Sequence, residues 1–557
     1  MATRPMTAAP TTPRPASRLS EFFAIDLRSL AVFRIGLGFL LLLDLYGRAQ
    51  TLRMHYTGEG CYPRELALEL VQPDLALFHV FLLSDRVEVQ ALLFGVFALL
   101  ALLFVLGWHT RVVSVLVFVL LVSLVRRNHW ACHTGDGWLE TLFFWAMFLP
   151  LGARFSLDRL HGRAPPTRGP SGLPTPTELS IATAGVLIQI AIFYVMAGYL
   201  KSRYDVWTRG EAVWVFTHVI EYTRPFGAWL GQYPRACSLL TLGTLVVEGL
   251  GPFFLFVPFW TARLRTVLVL VLACFHLTLQ ATIHIGIFQM ICITSLALYL
   301  PSSTWDGLVR RVPASWRARW EVLASAFVRR FGVTGPVAPR AAFARASSLA
   351  TGALLVPVLA VILVSNVNSA VRNPYDKGDR GPLPLPLWLE QYGRMFCVVQ
   401  SWNMFTDIDR AFFGWFLVLG QQEDGQLVDV LEGRPAGALR PPEHYARAFP
   451  NHNSRRYWRE MARPEREDLQ KAMCDYLARE WRREGRTPLT HLAVYHVGRI
   501  PSRRPGADEV KPICWQWEAP HEPLRSAAPA VGELWTERRA RWQGILQGVP
   551  KSLPAAR

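Results

Sequence analysis

Nine apolar runs recur along the chain, at Leu27–Tyr46, Val89–Trp108, Val112–Leu124, Leu139–Leu151, Ile181–Leu200, Leu239–Trp260, Val267–Ile283, Ile285–Leu300 and Leu349–Val364. A run of roughly 20 such residues is long enough to cross the hydrocarbon core of a bilayer as a helix and to stay there as an anchor. The composition agrees: 557 residues with 51% hydrophobic and only 18% charged side chains are too apolar for a water-soluble protein of this size. The expected fold is an all-α polytopic membrane domain of about nine transmembrane helices followed by a smaller external α+β domain. The run at 139–151 is short, and those at 267–283 and 285–300 nearly touch. A re-entrant pair or a merged segment therefore stays open there.

The arginines orient this arrangement. On a nine-span reading the pieces at 1–28, 109–111, 152–178, 261–265 and 302–346 share one side, with net charges of +2, +1, +2, +2 and +6, which is +13 of the chain's +17. The positive-inside rule puts that side, with the N-terminus, in the cytoplasm and everything after the ninth span outside. The divisions that follow are a disordered cytoplasmic lead at 1–26, a membrane domain at 27–301, a basic cytoplasmic loop at 302–346 and a last span at 347–366. An external α+β domain at 367–517 and a basic, Pro-containing tail at 518–557 complete the chain. The lead has no signal-peptide apolar run of its own. Loop 302–346 sets eight arginines against Asp306 and Glu321, and reads as a retention segment lying on anionic lipid, with no nucleic-acid partner.

Polar residues inside the runs are the candidates for function. Tyr194, Gly198 and Lys201 fall at i, i+4 and i+7, so a helix sets them on one face near the end of its span. Such a lysine either snorkels to the interface or faces protein and water. Glu248 lies near the middle of the sixth run, where a carboxylate must be protonated or paired. His276, Gln280 and His284 follow at i, i+4 and i+8, as a site or as hydrogen bonds between helices. No HExxH-type pattern accompanies them, so no metal is expected. The outer loop RRNHWACHTGDGW offers His133 and Asp136 as a polar patch beside Lys201. Arg34 and Asp44, towards the two ends of the first run, can both snorkel and are assigned to topology.

The stretch QIAIFYVMAGYLKSRYDVW also carries a family resemblance, through Gln189, Ile190, Tyr194, Ala197, Gly198 and Lys201, followed by Asp205, Trp207 and Gly210. It resembles the vitamin K-dependent gamma-glutamyl carboxylases and their bacterial relatives, the horizontally transferred transmembrane domain (HTTM) proteins. The resemblance covers about residues 20–300, and the run Gln400 to Phe405 is similar to the tail of long HTTM proteins. It implies that Lys201 is the base that deprotonates a reduced vitamin K or menaquinol-like hydroquinone. Glu248 stands where the family has an acidic residue, and Phe275, His276, Ile285, Gly286 and Phe288 match the carboxylase pattern. Lys201, Glu248 and His276 are then expected to converge from three helices, with Tyr194 and Gln280 at the cofactor and His133, Asp136 and His284 around it. Counting back from the shared Ser156 and Asp158, Gly135 and Asp136 stand where the carboxylases carry an Asn-His pair, a departure that bears on whether carboxylation is retained.

Beyond the ninth run, GPLPLPLW reads as a stiff linker and the chain from Cys397 to about Leu431 as strand. GWFLVLGQQEDGQLVDVL is a hairpin signal, residues 455–484 follow helical periodicity, and HLAVYHVGRI is a further strand. Nothing there pairs a nucleophile with a base, so it reads as a recognition or capping domain. Cys61, Cys132, Cys397, Cys474 and Cys514 face the oxidising side on this topology, and one or two disulfides are expected among them.

The function implied is that of a carboxylase-like membrane protein, a quinol-oxidising lyase of the epoxidase or carboxylase type with its site at the outer face. A non-catalytic lipid- or quinone-binding protein with a partner-binding external domain is the first alternative, and a proton-coupled transporter using Glu248 the second. Membrane lipid and an external protein or peptide substrate are the implied partners, and a bacterial inner membrane the implied location.

Overall fold

A computed structural model describes residues 18–70, 78–163, 176–331, 341–371, 381–399, 402, 404–406, 414–435, 449–463, 466–498 and 511–518. Most of the lead and the tail, part of the basic loop and part of the Gln400–Phe405 run lie outside the described residues.

The fold is mostly helical. Helix α1 (Leu27–Ala49) opens on Asp26, whose carboxylate accepts the Arg28 amide at 2.7 Å. Helix α2 (Val87–Leu106) ends at Gly107, which adopts φ +69 where an added Cβ would meet the Arg34 guanidinium. Helices α3 (Thr110–Arg127) and α4 (Thr134–Ala146) follow, and α5 (Ile181–Ser202) starts with a reciprocal Ser180/Thr183 cap. Helix α6 (Pro234–Gly249) passes into a 3₁₀ stretch at Gly251–Phe256. After it come α7 (Thr261–Thr282), α8 (Phe288–Leu296), α9 (Ser302–Arg311), α10 (Ala314–Phe331) and α11 (Ala341–Val371).

Among the described residues six helical segments are long and apolar enough to cross a membrane: Leu27–Ala49, Val87–Leu106, Ile181–Ser202, Pro234–Phe256, Thr261–Thr282 and Ala350–Val371. The protein is a multi-pass membrane protein. The other three runs of the nine make lesser helices for local reasons. Helix α3 is closed in by Arg111, Arg126 and Arg127. Helix α4 has only 13 residues and stops short of Pro150. Helix α8 starts after Gly286, at φ +72, and gives way to a 3₁₀ turn before Pro301.

The bundle has two distinct ends. At one, Arg28 pairs with Asp306 at 2.7 Å, Thr261 donates to Glu21 at 2.7 Å, and Ile25–Asp26 pairs antiparallel with Thr177–Glu178. At the other, where α1 finishes, the C-terminal part is seated: Asn451 donates to the Gly47 carbonyl at 2.6 Å and Tyr457 to that of Cys61 at 2.8 Å.

The C-terminal part is α+β in content. Strands β1 (Gly414–Gln422), β2 (Leu427–Asp429), β3 (Arg434–Pro435), β4 (Leu489–Gly498) and β5 (Lys511–Glu518) form one antiparallel sheet in the order β3-β2-β1-β4-β5. The expected hairpin is β1–β2, turned by Gly425 at φ +82. The region expected as strand from Cys397 instead follows a short helix, Leu387–Met395, and the expected helix over 455–484 is two, α12 (His452–Met461) and α13 (Glu467–Arg483). Tyr62 and Ala131 of the membrane domain share one buried cluster with Phe416, Tyr457 and Trp458. The two parts are therefore packed together rather than strung on a linker.

The expected disulfides are not formed. Cys61, Cys132, Cys397 and Cys474 make none, and Cys61 and Cys132 instead direct their thiols to the Met54 and Asn128 carbonyls. The side chain of Cys514 lies outside the described residues.

Candidate functional site

The stripe on α5 does face protein. Gly198 lies against α6 so closely that a Cβ there would fall 2.5 Å from the Gly249 nitrogen and 2.8 Å from its Cα. This backbone-on-backbone contact is what small residues permit between membrane helices. One turn on, the Lys201 ammonium pairs with the Glu248 carboxylate, and both side chains are buried, at 6% and 7% exposure. Glu248 is not in mid-helix as expected: Gly249, Gly251 and Pro252 follow it, so the carboxylate stands where α6 breaks into the 3₁₀ stretch. Broken helices of this kind mark polar sites inside membrane bundles.

Further back along the same stripe of α5, the Tyr194 hydroxyl and His276 Nε2 of α7 are joined at 2.7 Å. His276 Nδ1 and, one turn further along α7, Gln280 Oε1 are buried with no hydrogen-bond partner among the described residues. Trp207 covers Lys201, its ring centroid 5.3 Å from Nζ, and its indole N–H donates to the Phe405 carbonyl at 2.8 Å. Phe405 sits at φ +55 and packs on Phe216. Trp402 stands edge-on to Phe193 at 4.8 Å, beside Tyr194. The ring over the lysine is thus held in place by a residue of the C-terminal part, a feature the sequence reading missed because about 200 residues separate Trp207 from Phe405.

His133, Asp136 and His284 form a second cluster. His133 caps α4: its Nδ1 accepts the Gly135 amide at 2.9 Å, and Asp136 Oδ2 accepts the His133 amide at 2.7 Å. With Nδ1 accepting, the ring proton of neutral His133 is on Nε2. The fully buried Arg48 then holds Asp136 Oδ1 at 2.5 Å, Asp44 Oδ2 at 2.6 Å and the Tyr56 hydroxyl at 2.9 Å. Asp44 is accordingly part of an ionic triad rather than a snorkelling topology residue. Arg34, too, is buried and donates to the Leu151, Arg154 and Phe155 carbonyls. The His133 ring lies 4.6 Å from that of His452, and Arg455 joins His452 to the carbonyls of Glu221 and His284. His284 accepts from Arg224 at 2.8 Å. Among the described residues no hydrogen bond or ion pair connects this cluster to Lys201, and Phe288, packed on His276 and Phe193, stands between the two. No group of three or more metal-ligating side chains occurs among the described residues.

The family model of the HTTM domain matches residues 22–305, half of the chain. The chain belongs to the HTTM family. No curated protein and no solved structure matches it. All of Tyr194, Lys201, Glu248, His276 and Gln280 lie in the HTTM domain, whereas Trp402, Phe405, His452 and Arg455 come from beyond it. Ser156 and Asp158, the shared reference points, are structural in this HTTM domain: Asp158 accepts the His109 and Thr110 amides at 2.8 and 2.7 Å and so caps α3.

The interface between the HTTM domain and α12 gathers buried titratable groups, His133, Asp136, His284 and His452. Burial would raise the Asp136 carboxyl, but Arg48 and the His133 amide hold it below the ordinary carboxylate value. Burial lowers His133, and burial with Arg455 close by puts His452 well below the ordinary imidazole value. Burial, Arg455 and Arg224 lower His284 to about 4. In the unfolded chain these imidazoles titrate near about 6.5 and so bind protons that the folded state refuses. Their contribution is complete above that pH and is lost as pH falls from about 6.5 towards 4. Asp136 acts below this window, since its stabilisation is lost only under about 4. The expected outcome is a melting temperature in detergent that drops between pH 7.5 and pH 5, less steeply for His284→Gln; an unchanged melting temperature over that range would contradict the assignment.

Proposed function

We propose that this HTTM protein is a membrane enzyme that deprotonates a lipid-soluble hydroquinone of the vitamin K or menaquinol class, with Lys201 as the base. The observation that carries the reading is the buried Lys201–Glu248 pair set beside Tyr194 and His276. A buried ammonium–carboxylate pair and its neutral amine–carboxylic acid form have the same net charge. A proton can therefore pass from Lys201 to Glu248 without burying additional charge, leaving a neutral amine able to accept one. His276 Nδ1 and Gln280 Oε1 provide buried polar atoms to orient a quinol hydroxyl, which fits the group. When bound, the hydroquinone supplies the acidic hydroxyl and, with oxygen, the oxidising chemistry. Lys201 takes the hydroxyl proton, Tyr194 and His276 orient the ring, and Trp207 keeps water from the amine. The resemblance to the carboxylases supports the same roles. A bacterial inner membrane, a cytoplasmic N-terminus and an external C-terminal domain that receives a protein or peptide substrate complete the proposal.

One observation favours a binding role without turnover. Asp136, at the place of the carboxylases' Asn-His pair, has both carboxylate oxygens committed to Arg48 and the His133 amide. Carboxylation itself is therefore not part of the proposal.

The test is oxygen-dependent conversion of a reduced quinone to its epoxide by the purified protein, with Lys201→Ala alongside. Conversion by wild type and none by the variant is expected. Folded wild-type protein that binds several quinols and converts none would replace the enzyme reading with the binding one.

A further inference from the structure

Helix α9 is partly seated on the bundle through Trp305 and leaves Leu308 and Val309 exposed. Trp305, Leu308 and Val309 fall at i, i+3 and i+4, one stripe of a helix, and the exposed Val312 follows its last residue. Leu308 and Val309 are 45% and 46% exposed, Trp316 at the start of α10 is 59% exposed, and α9 has no buried residue. Arg310 and Arg311 project from the opposite side of α9, and Arg319 from α10, all exposed. An amphipathic helix with aromatic and aliphatic residues on one face and arginines flanking it fits a bilayer surface with anionic headgroups.

The position of α9 on the bundle agrees with that partner. Trp305 donates to Ser29 at 2.8 Å and Thr304 meets Thr266 at 2.6 Å, fixing α9 to the end of the bundle where α1 and α7 begin. At that end Phe259 and Trp260 are 63% and 71% exposed, as in the aromatic belts of membrane proteins at the lipid–water boundary. The region 302–346 carries eight arginines against two acids.

We propose that α9 and the first turns of α10 form a docking face for acidic phospholipid on this side of the membrane. The apolar stripe enters the headgroup boundary and Arg310, Arg311 and Arg319 engage lipid phosphates. This is independent of the quinol reading, since it involves neither Lys201 nor its partners.

The test is amide hydrogen exchange of the full-length protein in nanodiscs of phosphatidylcholine alone or mixed with phosphatidylglycerol. Amides of 302–322 are expected to exchange about tenfold more slowly with phosphatidylglycerol, and the difference should disappear at high salt and in the triple variant Arg310→Gln/Arg311→Gln/Arg319→Gln. Exchange in α1 and α5 reports whether each variant is folded. Equal rates in the two lipids would overturn the proposal. A slowing that survives in the triple variant would overturn the role of the acidic headgroup, leaving apolar contact alone.

Discussion

Arg48→Ala is expected to lower the unfolding free energy by about 3–5 kcal/mol, because it removes the one cation between two buried carboxylates. Asp44 and Asp136 both depend on that guanidinium, as does the Tyr56 hydroxyl. Without it, two acids face each other in a site with little water. Arg48→Lys should recover only part of the loss, since an ammonium lacks the planar fork that reaches two carboxylates at once. The combined variant Arg48→Met/Asp44→Asn/Asp136→Asn, which buries no net charge, should be milder than Arg48→Ala alone. Denaturant titration in mixed micelles measures all three. A loss for Arg48→Ala under about 1 kcal/mol, the range of exposed ion pairs, would mean that the triad is hydrated.

Lys201→Met and Glu248→Gln are each expected to lower quinol turnover by about 10²–10⁴-fold, the range ascribed to a positioned base. Each single variant also leaves the other partner charged and buried, so both should be destabilised by about 3–5 kcal/mol. The double variant removes both charges and should regain most of that stability while remaining inactive. Stability and activity therefore separate in the double variant, and a chemical role is told apart from a merely structural one. Turnover by Lys201→Met close to the wild-type rate would remove the lysine from the mechanism.

The residues of the lysine site were legible because each sits on a helix whose period carries it to the right face. Tyr194, Gly198 and Lys201 lie on one stripe of α5, and the structure brings that stripe to Glu248 and His276. The same period misplaced His284. Helix α7 ends at Thr282 and Ile283 is extended, so the stripe of His276 and Gln280 is interrupted and His284 turns to Arg224. Arg48 went unremarked although it stands four residues after Asp44, a spacing that puts opposite charges on one helical face. The second carboxylate on Arg48, that of Asp136, lies 88 residues away, a separation that no local period records. Among the described residues the apolar runs and the long apolar helices part company where apolar content was not accompanied by length, as in α4 and α8. The sheet was found in part: β1, β2 and β4 have hydrophobic patterns of their own, whereas the hold on the ring over Lys201 arises from tertiary contact alone.

Phe405 accepts the indole proton of Trp207, and Trp207 lies over the ammonium of Lys201. Among the contacts between the two parts, this one reaches Lys201 through a single aromatic ring. Thermodynamic reciprocity governs such an arrangement. A partner that draws the segment around Phe405 outward withdraws the ring's acceptor, and a molecule that displaces the ring from the lysine disturbs that segment by the same free energy. A shift at the Phe405 carbonyl is therefore felt at the buried lysine through Trp207, and a shift at the lysine is felt at Phe405.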